Sequence, residues 1–172
     1  MPAAEESASV VRVAIVAALP REMPGLVRGV KPDAELLRRG IRLCRVDGAV
    51  VAAAGMGAVR ATLALEAALR DESVELVVSC GLAGACSPEV AAGSVVEAAL
   101  AVDAKTGERF ACDSPGSAQH VLVTSEAIAG VREKLRLRES YGAALVDMEA
   151  ATVARLAKMR GLRFRAIKGV SD

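Results

Sequence analysis

Three carboxylates stand just past apolar runs of this chain, where a side chain can do chemistry. Glu22 follows the run from Val13 to Leu19, Glu149 follows Val146-Asp147-Met148, and Asp172 follows Ile167-Lys168-Gly169-Val170-Ser171. Carboxylates move protons and accept hydrogen bonds from hydroxyls. Two glycine segments close other apolar runs, Gly55-Met56-Gly57 and Gly81-Leu82-Ala83-Gly84. In open α/β sheets, ligands bind at the carboxyl ends of strands. These separate pieces therefore make a candidate pocket rim carrying three acids. Each piece also has a purely structural reading. Gly55 to Gly57 turns a strand into a helix, and the dinucleotide-binding pattern fails because Arg60 stands where it needs glycine. Gly81 to Gly84 reads equally as a tight turn. Glu22 reads as a solvated first-turn residue, Glu149 as an acid on its own helix dipole, and Asp172 as a surface acid. Their joint position at strand ends favours a site but names no substrate.

The elements that must position these groups follow from periodicity. Residues 10–18 form a continuous apolar and β-branched run, a strand buried on both faces. A short helix is expected to about residue 30, then a turn region between Pro32 and Gly40. Residues 41–46 and 49–54 flank Asp47-Gly48, a hairpin signal. Residues 59–69 have helical apolar spacing. Strands are expected at 74–80, 94–102, 120–124 and 163–170, with a short one among the turn residues of 103–117. Helices are expected at 126–139 and 147–160, the second with Glu149 in its first turn and Gly161 as its stop. Strands and helices interleave, so the expected fold is α/β, with a mixed, largely parallel sheet covered on both faces. Residues 1–9 read as a disordered tail and 10–172 as a single domain.

Composition narrows the function. Of 172 residues 53% are hydrophobic, which excludes a disordered chain. A net charge of +1, with no Trp, one Tyr and two Phe, offers neither a basic field nor a stacking surface, so nucleic acid is not an expected partner. The cysteines Cys44, Cys80, Cys86 and Cys112 form no CxxC pair and His120 is the single histidine, so no metal site is expected. The first nine residues lack the pattern of a signal peptide, and the longest apolar run is far short of the roughly 20 residues that span a bilayer. A cytoplasmic protein with reduced thiols and no membrane span is expected.

The motif segments together resemble the purine nucleoside phosphorylase and nucleosidase superfamily, most closely its 5′-methylthioadenosine/S-adenosylhomocysteine nucleosidase branch. The likeness lies in residues 13–22, Gly55-Met56-Gly57, Ser79-Cys80-Gly81-Leu82-Ala83-Gly84, Val146-Asp147-Met148-Glu149-Ala150-Ala151 and residues 167–172. Asp147-Met148-Glu149-Ala150 and Ser171-Asp172 are its most specific elements. The resemblance implies a three-layer α/β/α sandwich and cleavage of the bond between ribose C1′ and purine N9, releasing adenine from a 5′-modified adenosine. One carboxyl group would protonate the leaving base and another would activate water.

Carried over by motif, Asp172 would be the general acid at purine N7, its pKa raised by burial. Glu22 would polarise the attacking water. Glu149 would accept from the ribose 2′ and 3′ hydroxyls, with Met148 against the sugar. Gly81 and Leu82 would let backbone approach the nucleoside, and Ser171 would support the base or orient Asp172. Gly57 and Ile128 complete the expected substrate-binding set, Ile128 replacing an aromatic that usually stacks on the base. No cofactor is implied. The missing Gly-Asp-Pro-type loop, and the absence of an Arg among Leu76, Val77 and Val78, favour water over inorganic phosphate as the nucleophile. Arg21 and Arg60 are the candidate phosphate ligands if phosphorolysis holds instead. The stretch from Val102 to Val121 is shorter than usual, and Gly142-Ala143 precedes the Asp147-Met148-Glu149 element. Both features are similar to the hopanoid-associated phosphorylases, which are linked to adenine release from an adenosylated lipid. A third expectation is a degenerate nucleoside-binding relative. The family continues beyond the position of Asp172 into a C-terminal helix that this chain is expected to lack. It commonly forms homodimers, and the 59–69 helix is the candidate contact.

Overall fold

The computed structural model describes residues 12–70 and 73–172; the expected tail at 1–9 lies outside them. Nine strands form one mixed sheet: β1 (Val13–Ala17), β2 (Arg42–Val46), β3 (Ala49–Ala53), β4 (Leu76–Ala85), β5 (Val95–Asp103), β6 (Arg109–Ala111), β7 (His120–Thr124), β8 (Ala143–Asp147) and β9 (Arg163–Val170). Among the described residues four α-helices accompany them: α1 (Ala34–Arg38), α2 (Ala58–Leu69), α3 (Val131–Tyr141) and α4 (Ala150–Met159).

Alternating side chains divide the core between the two faces of the sheet. Ala14 and Val16 of β1, with Val50 and Ala52 of β3, face a core shared with α2 and α4. Ala17, Val51 and Ala53 point the other way, onto Met23 and Val27 of the segment after β1. Leu137 of α3 covers Val102, Val123 and Val146. The buried faces of α2 and α4 are largely alanine, which keeps those layers thin. The result is an α/β/α sandwich around a mixed sheet.

The sheet follows the order β2-β3-β1-β4-β8-β7-β5-β6, and β9 pairs with both β4 and β5. Strands β4, β8, β7, β5 and β9 therefore close on one another, while β1, β3 and β2 extend from β4 as an open wing and β6 pairs with β5 outside the ring. The expectation treated the sheet as open throughout.

Other local expectations are corrected. The helix expected to about residue 30 is a 3-10 turn at Pro20–Glu22 followed by turns, among them Gly29 with φ +74°. The region between Pro32 and Gly40 holds α1, capped by Asp33, whose carboxylate accepts from the N–H groups of Glu35 and Leu36. Gly81 to Gly84 is not a turn. It is the second half of β4, held extended because β9 pairs with it from Leu76↔Arg163 to Ala83↔Val170. The helix expected from residue 126 begins at Val131, and Gly142, at φ +67°, ends it. Residues 143–147 are a fully buried strand that was not anticipated, so α4 starts at Ala150 and Glu149 occupies its N-cap.

Candidate functional site

One cleft of about 270 Å³ collects the three acids. Glu22, Leu82, Met148, Glu149, Ser171 and Asp172 line it, with Ile128 at its rim, 80% exposed. Gly57 and Gly81 are not in its lining.

Glu22 is fixed by backbone. Its Oε2 accepts from the N–H groups of Ala18 at 3.0 Å and Leu19 at 2.9 Å, and Oε1 accepts from Leu82 at 3.3 Å. Pro20 starts the 3-10 turn that folds this carboxylate back on its own strand end. Gly81 makes room for it. A Cβ there would lie 2.9 Å from Glu22 Oε2, and φ is +129°. Gly81 thus yields its space to Glu22, where the expectation gave that space to the nucleoside.

Glu149 is buried at two helix starts. It occupies the α4 N-cap, and its Oε1 accepts from the Gly57 N–H at the α2 N-cap, at 2.8 Å. Burial raises its pKa and nearby Asp147 adds to the rise, while the Gly57 N–H opposes it. Gly57 therefore reaches the site through Glu149. Arg60 lays its stem along Gly55 and does not line the cleft, whereas Arg21 does.

Asp172 departs from expectation. Its side chain is 68% exposed, and Lys134 Nζ lies 2.6 Å from Oδ2. The Lys134 ammonium, helped by the Ser171 hydroxyl 2.8 Å from Oδ1, holds its pKa below the ordinary aspartate value. The expected rise from burial is absent here, and a cation at hydrogen-bond distance shifts the group the other way. Gly84 makes room here as Gly81 does for Glu22: a Cβ would lie 2.9 Å from Lys134 Nζ and 3.1 Å from Asp172 Oδ1. The two glycines stand three positions apart on β4, about 10 Å of strand.

Behind the cleft lies a buried polar cluster. Lys168 Nζ lies 2.9 Å from Asp147 Oδ2 and 3.0 Å from Ser79 Oγ. Thr124 donates to Asp147 Oδ1, and Asp147 Oδ2 accepts the Ala150 N–H at the start of α4. Burial draws the Lys168 pKa down, but Asp147 and then Glu149 outweigh it, and the net shift is upward. Among the described residues no group of three or more His, Cys, Asp and Glu could hold a metal, and no helix is long and apolar enough to cross a membrane.

The family model of the phosphorylase superfamily matches residues 12–120 and 120–172. The chain belongs to the phosphorylase superfamily. Futalosine hydrolase of Streptomyces coelicolor is 29% identical over 175 residues, covering 82% of this chain and 74% of the relative. Among solved structures, native futalosine hydrolase of Helicobacter pylori superposes with a TM-score of 0.77 at 18% identity, covering 95% of this chain and 85% of that one. The 5′-methylthioadenosine/S-adenosylhomocysteine nucleosidase of Neisseria meningitidis, in complex with methylthio-immucillin-A, gives 0.79 at 22% identity, covering 94% and 85%. These likenesses establish a phosphorylase-superfamily fold.

Within this superfamily member, sequence reasoning left Lys134, Asp147, Lys168, Ser79 and Thr124 without roles. Lys168 carried a signal, a lysine inside the apolar strand Ile167-Lys168-Gly169-Val170. Lys134 carried none, because α3 also holds Arg132, Arg136 and Arg138.

Proposed function

We propose that the chain is an N-ribosyl hydrolase that releases adenine from a 5′-modified adenosine. The observation that carries this reading is the convergence of Glu22, Glu149 and Asp172 on one cleft, with the first two held by backbone N–H groups. Breaking C1′–N9 leaves positive charge on the sugar and negative charge on the base. Glu22, oriented before substrate arrives, takes the proton of a water attacking C1′. Glu149 keeps acceptor capacity for the ribose 2′ and 3′ hydroxyls, with Met148 beside the sugar. The base departs toward Asp172 and Lys134, the end that must supply its proton. The chemistry calls for no metal or organic cofactor.

Phosphorolysis is favoured by one observation, the position of Arg21 in the cleft lining beside Glu22. Base release from 5′-methylthioadenosine, S-adenosylhomocysteine and futalosine, with and without inorganic phosphate, decides between the two. Release without phosphate is expected, and strict phosphate dependence overturns the hydrolase reading. We propose that a homodimer would form through the α2 side of the cleft, a reading supported by the exposure of Met56, Val59 and Leu63.

A further inference from the structure

We propose that Thr124 positions Glu149 for the ribose by capping α4 in its place. The inference rests on the nucleosidase reading, since the hydroxyls that Glu149 would hold belong to that substrate. A residue at a helix N-cap ordinarily turns its side chain onto the first free N–H groups of its own helix. Glu149 has the N-cap position of α4, and its main-chain carbonyl accepts from the Val153 N–H, yet its carboxylate makes no cap bond. It reaches instead to the Gly57 N–H, 92 residues away in the chain, at 2.8 Å. The N–H groups it forgoes are taken by others. Asp147 Oδ2 accepts from Ala150 at 2.9 Å, and Thr124 Oγ1 accepts from Ala151 at 2.8 Å.

The sheet builds this arrangement. Thr124 ends β7 and Asp147 ends β8, and the two are register partners in that parallel pair. The Thr124 hydroxyl works in both directions: its O–H donates to Asp147 Oδ1 at 2.7 Å while its oxygen accepts from Ala151. Lys168 Nζ, 2.9 Å from Asp147 Oδ2, holds the neighbouring acceptor in place. Ala150 and Ala151 are fully shielded from solvent, so their N–H groups depend on these two acceptors. Without the Thr124 hydroxyl the Ala151 N–H is left buried and unpaired. The side chain that the helix itself places for that bond belongs to the N-cap residue, Glu149. Turning onto Ala151 withdraws the carboxylate from Gly57 and from the sugar. Thr124 does not line the cleft, so it acts on substrate through Glu149 alone.

The test compares Thr124→Val, which keeps the shape of the side chain and removes the hydroxyl, with Thr124→Ser, which keeps the hydroxyl. Two constants are read for each. One is kcat/KM for whichever of 5′-methylthioadenosine, S-adenosylhomocysteine and futalosine the unmodified protein cleaves best. The other is the inhibition constant of the base it releases, which carries no sugar hydroxyl for Glu149 to hold. Thr124→Val is expected to lower kcat/KM by about 10–10²-fold, the scale of a group misplaced by up to about 1 Å, and to leave the inhibition constant unchanged. Thr124→Ser is expected to retain both values. Wild-type kcat/KM in a folded Thr124→Val protein overturns the proposal. So does an equal weakening for the free base, which marks a general collapse of the cleft, and so does a loss in Thr124→Ser as large as in Thr124→Val. Should Thr124→Val not fold, Thr124→Cys takes its place, matching Thr124→Ser in shape but with a sulfur that hydrogen-bonds weakly, and the same outcomes decide. If the unmodified protein releases base from none of the three nucleosides, the nucleosidase reading falls before any variant is compared, and the proposal with it.

Discussion

Gly81→Ala is the sharpest probe of the proposed water-activating role of Glu22. The new Cβ would lie 2.9 Å from Glu22 Oε2 and 3.1 Å from its carboxyl carbon, whereas ordinary contact begins at 3.4 Å. The carboxylate must retreat about half an ångström or swing out of its site. Oε2 is tied to the N–H groups of Ala18 and Leu19 at 3.0 and 2.9 Å, so neither movement is free. Since a misplacement of 1 Å can cost about 10²-fold, the small retreat should lower kcat about tenfold. Swinging out removes the proposed general base and should cost about 10²–10⁴-fold. The φ of +129° adds backbone strain of about 1–3 kcal/mol. At roughly 2–4 °C per kcal/mol for a chain of this size, the midpoint of thermal unfolding should drop by several degrees.

Gly93→Ala supplies the control. Gly93 has φ +82°, and a Cβ there would meet nothing within 4 Å. It should suffer similar strain with no effect on kcat. Steady-state base release, paired with a thermal melt of each variant, separates the two effects. A folded Gly81→Ala protein with unchanged kcat would refute the reasoning, as would an equal loss of kcat in Gly93→Ala.

Two other perturbations follow from the geometry. In the proposed role Glu149 must be ionised to accept from the sugar, and its pKa is raised by burial and by Asp147, so kcat/KM should fall with decreasing pH through a value above the ordinary 4.5, a limb that Glu149→Gln should abolish. The same shift makes the native state hold a proton that the unfolded chain has released, so this group's contribution to stability should decline as pH rises from 4.5 through the raised pKa; urea titrations across that window read it. Lys168→Met leaves Asp147 buried without its cation and should cost about 3–5 kcal/mol in urea unfolding, with Lys168→Met/Asp147→Asn recovering part of the loss; a cost below about 1 kcal/mol would show that the pair is not the buried ion pair its 2.9 Å separation describes.

The sheet was legible because its strands are made of β-branched and small apolar residues whose periodicity survives local noise. The five acids and glycines that frame the cleft, Glu22, Gly81, Gly84, Glu149 and Asp172, were legible because each breaks an apolar run. What failed had a common cause, since it depended on a partner distant in the chain. Gly81-Leu82-Ala83-Gly84 carries turn residues, yet β9 holds it extended. Residues 143–147 are too few and too uniformly apolar to show a period, and only pairing with β7 and β4 makes them a strand. The protonation of Asp172 depends on Lys134, 38 residues earlier. No window of sequence contains both.

The site is in this sense a property of strand register. Glu22 hangs from the end of β1, paired Val16↔Ser79 with β4; Asp172 hangs from the end of β9, paired Ala83↔Val170 with the same strand; and Glu149 follows β8, paired Gly84↔Val146. β4 thus sets the spacing of all three acids, and its two glycines stand where two of them come closest. A slip of one residue in any of these pairings would carry a strand's side chains to the opposite face of the sheet. The closed ring resists such a slip, because β9 is paired on one side with β4 and on the other with β5 and cannot shift against one without breaking the other. Ring closure therefore does for Asp172 what backbone N–H groups do for Glu22: it fixes the position of the group within the cleft.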